Sequence, residues 1–293
     1  MQPHELYPRP YEIRAPAAWH APAIFNSPHS GRLYSSAFLT QTRLNPVAIR
    51  RSEDCYVDEL FASALHFGAP LLMLHAPRAY IDVNREPYEL DQRMFAETLP
   101  PYVNNASVRV VNGLGTIPRI VSEGEEIYRA PLTLADALGR IESIYRPYHH
   151  ALATLVDKAQ RAFGTMLLVD CHSMPSSSAS RSQRFPDIVL GDRHGSACDP
   201  AVSDLAEQLF TQQGLRVVRN KPYAGGFITQ NYASPALGRH TLQIEINRAL
   251  YLNERTMEKT RGFATLSTAI EAVIGGLLMG ATELFAPARL AAE

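Results

Sequence analysis

The sequence predicts an α/β protein folded as one domain, residues 1–293, around a mostly parallel or mixed central sheet. Three observations lead there. Short apolar runs, each closed by a polar or glycine/proline break, have the length of buried strands. Segments with apolar residues at helical spacing lie between them, the alternation expected of an α/β chain. No convincing linker divides the chain, and 46% hydrophobic residues are enough for one large core.

The elements follow in chain order. Residues 1–20 are polar and proline-rich, lack the apolar stretch of a signal peptide, and read as an irregular arm. Strands are expected at Ala23–Asn26, Pro70–His75, Ser107–Val111, Thr165–Val169, Asp187–Leu190, Leu215–Arg219 and Thr241–Ile246. Helical patterns cover Asn45–Phe67 (in two pieces), Pro131–Phe163, Ala201–Gln213 and Glu258–Leu284. In the second, Leu132, Leu134, Leu138, Ile141, Ile144 and Tyr145 recur at i, i+3, i+4 spacing. Either Ser203 or Asp199-Pro200 caps the third. The serine-rich stretch Ser176–Ser182 reads as a mobile loop.

Composition excludes several function classes. A formal net charge of −1 and a pI near 6.8, with arginines scattered rather than striped, argue against nucleic acid and anionic membranes as partners. The longest apolar stretches, such as Ala272–Met279, are shorter than the roughly 20 residues of a membrane span. Three cysteines, with no export signal and no CxxC pair, fit reduced thiols in a cytoplasmic protein without a structural zinc. Cys171 precedes His172, but strand neighbours point to opposite faces, which argues against a Cys-His nucleophile.

Two motifs share one setting. In Ile24-Phe25-Asn26-Ser27-Pro28-His29-Ser30-Gly31, a hydrophobic strand ends in a histidine, with Pro28 limiting the backbone and Gly31 permitting a tight turn. Residues 166–175 (MLLVDCHSMP) repeat the arrangement, with Asp170 two residues before His172 and able to accept a hydrogen bond from a metal-bound histidine. Either histidine alone is equally an ordinary loop residue. Two at strand exits, where α/β proteins carry their sites, suggest a metal held by His and carboxylate with one position left for water. Glu53, Asp54 and Asp58 can supply the carboxylate, although Asp54 at a helix start is equally explained by capping.

The late strand alternates, with Gln243, Glu245 and Asn247 on one face and Leu242, Ile244 and Ile246 on the other. A solvent-facing strand explains this pattern; an enclosed polar cleft does too, and then Glu245 is a candidate general base. Arg85, after Tyr80-Ile81-Asp82-Val83-Asn84, and Arg119, closing a glycine-rich loop at 113–119, can clamp a carboxylate or pair with neighbouring acids on the surface. Loop 221–229 can close over a ligand. His66 and His75 read as structural; His149 and His194 can approach a site but are not assigned as ligands.

Read together, the chain resembles the N-formylglutamate amidohydrolase family. The resemblance runs through SPHSG at 27–31, SEDCYVDELF at 52–61, YIDVNREP at 80–87, GLGTIPR at 113–119 and YRPYHHAL at 145–152. It continues through DCHSMP at 170–175, DIVLGDRHG at 187–195, GGFITQNY at 225–232 and QIEINRALYLNE at 243–254. It implies a three-layer α/β/α sandwich with a mixed central sheet, similar to zinc carboxypeptidases. It also implies zinc, or another divalent metal, on His29, Asp54 and His172. Glu245 takes the place of the general base, and Asn84 with Arg85 that of the pair holding a substrate carboxylate; Arg119 stays a candidate from its loop alone. The peptidases carry His-x-x-Glu, whereas Arg32 stands three residues after His29 here. The carboxylate must therefore come from elsewhere, from Asp54 with Glu53 as the alternative.

The expected substrate is a small N-acyl amino acid, N-formyl-L-glutamate by default, cleaved to formate and glutamate. The competing expectations are a metallo-deacylase or carboxypeptidase acting on another N-acyl amino acid or short peptide, and a non-catalytic carboxylate-binding relative.

Overall fold

The computed structural model describes residues 3–121, 124–176 and 185–285; most of the serine-rich loop expected at 176–182 lies outside them. A seven-stranded sheet forms from β1 (Tyr11–Arg14), β2 (Ala23–Ser27), β3 (Leu71–Leu74), β4 (Met166–Met174), β5 (Ile188–Gly191), β6 (Val217–Arg219) and β7 (Arg239–Asn247), in the order β1-β3-β2-β4-β7-β5-β6. The four strands β3, β2, β4 and β7 run parallel, while β1 and β5 pair antiparallel with β3 and β7. The sheet is therefore mixed, with its parallel heart at the centre.

Strand parity builds two cores, one on each face. Ile24, Leu72, Leu74, Met166 and Leu168 face the helices Leu134–Arg140 and Arg146–Phe163, which bury Tyr148, Leu152, Leu155 and Val156. Phe25, Leu71, Met73, Leu167, Val169, Leu242 and Ile244 face Pro200–Gln212 and Gly262–Leu284. The result is the three-layer α/β/α arrangement. Local chemistry sets the helix ends: Thr133 and Asp199 accept hydrogen bonds from Asp136 and Ala201 backbone N–H groups, and Gly164, in the left-handed region at φ 75°, closes Arg146–Phe163.

Several expectations are corrected. Ser107–Val111 is not a strand: Ser107 Oγ accepts the Val110 N–H at 3.1 Å, and this local cap holds Val108–Val111 as one helical turn despite its β-branched residues. Within the expected irregular arm, Tyr11–Arg14 pairs with β3 as an edge strand. The helical pattern at 45–67 becomes short turns at Ala48–Ser52, Val57–Leu60 and Ala62–Leu65. Glu258–Lys259 forms a small hairpin strand, so the last helix begins at Gly262. That helix is long and apolar enough to pass a membrane-span criterion, yet it buries Leu266, Ile270, Val273, Leu277 and Leu278 in the second core. His66 is exposed rather than packed, 3.8 Å from Glu271.

The parallel strands all deliver their carboxyl ends to one edge of the sheet, where a cleft opens. β4 runs three residues beyond Cys171, so Asp170 and His172 lie inside a strand rather than in the loop after it. Gly31 has an ordinary φ; its role is close approach, since a Cβ there would meet the Ala76 carbonyl oxygen at 2.1 Å. The segments after β2 and β3, which carry His29 and Asp82, can thus pack together.

Candidate active site

His29, Asp54 and His172 are all buried, and each offers a ligand atom within 4.8 Å of the other two. His29 leaves β2 at the carboxyl edge of the sheet. Asp54 arrives through the Ala48–Ser52 turn, and its backbone N–H donates to the His29 carbonyl at 3.0 Å. His172 stands on β4, opposite Glu245 in the β4–β7 register.

Each histidine turns Nδ1 to one point. Asp54 Oδ2 lies 2.9 Å from His172 Nδ1 and 3.3 Å from His29 Nδ1. The other nitrogens meet carboxylates. His29 Nε2 donates to Asp82 Oδ1 at 2.7 Å, so in the neutral ring the lone pair lies on Nδ1. His172 Nε2 lies 3.1 Å from Asp170 Oδ2, off the line of a hydrogen bond, and 3.3 Å from the Asn84 amide nitrogen. Asp170 is held in turn by Asn26 Nδ2 at 2.8 Å.

The side chains present fit a divalent metal. His29 Nδ1 is buried and has no hydrogen-bond partner, an arrangement that costs free energy unless something else occupies the lone pair. Two imidazoles and one carboxylate are a donor set used for catalytic zinc, and carboxylates behind the imidazoles orient such ligands. Electrostatics agree. Burial opposes the charge on Asp54, but the adjacent His172 and His29 outweigh it and hold the carboxyl well below its usual range. Burial likewise opposes the charge on Asp82, and Arg85, His29 and Arg78 win.

The alternative carboxylate, Glu53, is buried as deeply but faces away. Arg50 donates to it from Nε and Nη2 at 3.1–3.2 Å, and Cys55 Sγ donates at 3.0 Å. Asp54 Oδ1, by contrast, receives Arg248 Nη2 at 3.1 Å and Ser173 Oγ at 3.3 Å beside the histidines. Asp58 is also absent from the cleft lining; Arg32 holds it at 3.1 Å.

Glu245 borders the cluster. The solvent-facing explanation of its strand fails, because β7 is buried from His240 to Asn247 between β4 and β5. Gln243 Nε2 donates to Glu245 Oε1 at 3.1 Å, while Gln243 Oε1 accepts the Gly226 N–H at 2.8 Å. One amide therefore ties the carboxyl to the loop at 222–226. Burial raises the Glu245 pKa to about 7, with Asp54 adding to the rise and His172, Arg78 and Arg248 opposing it. Asn247 points elsewhere and donates to the Pro186 carbonyl at 3.0 Å.

The cleft measures about 420 Å³, a small-molecule size. Asn84 and Arg85 line it, but both are partly committed. Asn84 Oδ1 accepts the Ile228 N–H at 2.7 Å. Arg85 donates to the Leu114 and Asn84 carbonyls, both at 2.7 Å, and lies 3.3 Å from Asp82. Arg78, unassigned by sequence reasoning, donates one N–H to Asp82 Oδ2 at 3.0 Å. Asp82 was missed as well; its position four residues after Arg78 and three before Arg85, in a block that follows a strand, was the available signal. Arg119 does not reach this cleft. Asp91 and Glu126 hold it at 2.9 and 3.1 Å beside a separate hollow, because the 113–119 loop turns its end away.

The remaining candidates fall outside the cluster. Cys171 faces the second core, where burial pushes its thiol well above the usual range. His194 sits in the 192–195 turn, and His149 is enclosed by aromatic rings. Pro222–Gly226 lines the cleft, and a Cβ on Gly226 would meet Asn84 Nδ2 at 2.4 Å, so the loop can lie directly over that amide.

Comparison with known proteins matches residues 21–252 to the family described as N-formylglutamate amidohydrolase. The chain is 27% identical to the N-formylglutamate deformylase of Pseudomonas putida over 241 residues, covering 80% of this chain and 82% of the relative. Against the N-formylglutamate deformylase of Pseudomonas aeruginosa it is 26% identical over 261 residues, with coverage of 88% and 91%. The crystal structure of N-formylglutamate amidohydrolase from Ralstonia eutropha superposes with a TM-score of 0.88 at 33% identity, covering 94% of this chain and 99% of that one.

Proposed function

The chain belongs to the N-formylglutamate amidohydrolase family, and we propose that it hydrolyses N-formyl-L-glutamate to formate and L-glutamate with zinc on His29, Asp54 and His172. The observation that carries the reading is the convergence of His29 Nδ1, Asp54 Oδ2 and His172 Nδ1 beside Glu245. Charge supports the substrate class: five arginines and three carboxylates line the cleft among the described residues, a surplus suited to a dicarboxylate.

A bound divalent metal supplies Lewis acidity there, polarising the formyl oxygen and lowering the pKa of a water toward about 7. The chain's own residues do the rest. Glu245 takes a proton from the attacking water as the water oxygen bonds to the formyl carbon. As the C–N bond breaks, Glu245 returns that proton to the departing nitrogen, which leaves as the amino group of glutamate. Gln243 keeps Oε1 oriented for both transfers. Arg78, resting on Asp82, and Arg85, fixed by two carbonyls, bind the substrate's α-carboxylate.

The test is Glu245→Gln, assayed on N-formyl-L-glutamate with bound metal measured in the same preparation. The expected result is near-normal zinc and a kcat lower by about 10²–10⁴-fold. A zinc-loaded variant with near-normal turnover removes Glu245 from the role of base.

A further inference from the structure

We infer that Arg109 is the residue that reads the side-chain carboxylate of the substrate; the inference rests on the deformylase reading above. Arg109 lines the same cleft as His29, Glu245 and Arg85. Every other arginine of that lining has protein acceptors. Arg248 donates to Asp54, Ser173 and the Arg51 carbonyl. Arg51 pairs with Glu125, and Arg78 and Arg85 both lean on Asp82. Arg109 makes no side-chain hydrogen bond or ion pair among the described residues.

Its placement is built rather than incidental. The Leu114 N–H donates to the Arg109 carbonyl at 2.8 Å, and the Leu114 carbonyl accepts Arg85 Nε at 2.7 Å. Two consecutive hydrogen bonds therefore fix the Arg109 backbone relative to the Arg85 guanidinium. Ser107 caps the turn that carries it, and Gly115 presses against the Glu89 carbonyl, where a Cβ would come within 2.2 Å. Burial disfavours the charge on Arg85, and Arg78 and Arg109 add to that while Asp82 opposes it. Like charges held together in a half-buried cleft are costly unless an anion lies between them. With Arg78 and Arg85 assigned to the α-carboxylate, the uncompensated charge of Arg109 fits a second carboxylate. N-formyl-L-glutamate carries one; its amide isostere, N-formyl-L-glutamine, does not.

The test uses the zinc-loaded full chain as wild type, Arg109→Gln, Arg109→Lys and, as a control outside the cleft, Arg119→Gln. Each is assayed for kcat and KM on N-formyl-L-glutamate and N-formyl-L-glutamine, and each is titrated with L-glutamate and L-glutamine to measure equilibrium binding. The expected result is a wild-type preference for the acid that falls about 10–100-fold in Arg109→Gln, mainly through KM, the loss of a hydrogen-bonded ion contact. Glutamate binding weakens in parallel, Arg109→Lys recovers part of both, and Arg119→Gln leaves both as in wild type. An unchanged acid/amide ratio and unchanged glutamate binding in Arg109→Gln overturn the inference. If the wild type cleaves neither substrate, the deformylase reading fails, and the glutamate/glutamine titration still decides Arg109.

Discussion

His29 and His149 lie in neighbouring surroundings and differ in what meets one ring nitrogen. Both send Nε2 to the same stretch of chain: His29 to the Asp82 carboxylate at 2.7 Å, His149 to the Val83 carbonyl at 2.8 Å. The difference is at Nδ1. In His149 it accepts the Tyr232 hydroxyl at 2.9 Å, among the rings of Tyr145, Tyr148, Phe227 and Tyr232, and burial pushes its pKa down to about 4. In His29 it has no partner and faces a carboxylate and a second imidazole. His29 is buried and His149 half-buried, and both rings are enclosed by protein, so enclosure alone does not separate them. What distinguishes them is whether the fold satisfies both ring nitrogens or leaves one lone pair open.

The largest expected effect tests that difference directly. His29→Ala removes the open lone pair; bound zinc falls below about one tenth per chain and kcat/KM drops by more than the roughly 100-fold typical of losing an outer-shell partner. His149→Gln, with both of its contacts replaceable by an amide, keeps its zinc. Metal analysis of the two purified variants decides, and equal zinc in both breaks the comparison.

A smaller effect is expected one step back. Asp82→Asn leaves every proposed ligand in place but weakens the hold on His29 Nε2 and on Arg78 and Arg85. Zinc affinity falls by about 10–100-fold, read by competition with a chelator, and KM rises along with it. Wild-type affinity together with wild-type KM means that Asp82 orients neither.

The smallest effect concerns His149 alone and appears as pH dependence of stability. Its folded pKa, about 4, lies below the ordinary 6.5, so the unfolded chain binds the extra proton first. The contribution of the neutral, enclosed ring is present in full above pH 6.5 and is lost as pH falls from 6.5 to about 4. On the order of 2–3 kcal/mol is at stake, from about 1.4 kcal/mol per pKa unit. Denaturant melts of wild type and His149→Gln at pH 7.5 and pH 4.5 check it. The variant's stability is expected to fall less on acidification, and parallel losses assign the acid sensitivity to other groups.

Much of this molecule was legible in the sequence because periodicity survives folding. Apolar runs at 23–26, 165–169 and 241–246 became central strands, and alternation placed Gln243 and Glu245 on one face, as β7 has them. Local patterns failed where a short-range contact outweighed propensity. At 107–111 the β-branched residues point to a strand, but one serine cap holds a helical turn. The edge strand at Tyr11–Arg14 was hidden because its apolar partner, β3, lies some sixty residues away.

By itself, then, the sequence determined the α/β class, the two histidines at the carboxyl edge of the sheet and the carboxyl-bearing strand, since these depend on spacing along the chain. Tertiary structure alone sets apart Glu53 and Asp54, which are adjacent and equally buried; Arg50 and Cys55 take one, and the two imidazoles meet the other. It also separated Arg119, closed off by Asp91 and Glu126, from Arg78 and Arg109 in the cleft. The physical reason is the same in each case. Whether a charged group is free for chemistry depends on which distant groups already satisfy it, and that is a property of the packed chain.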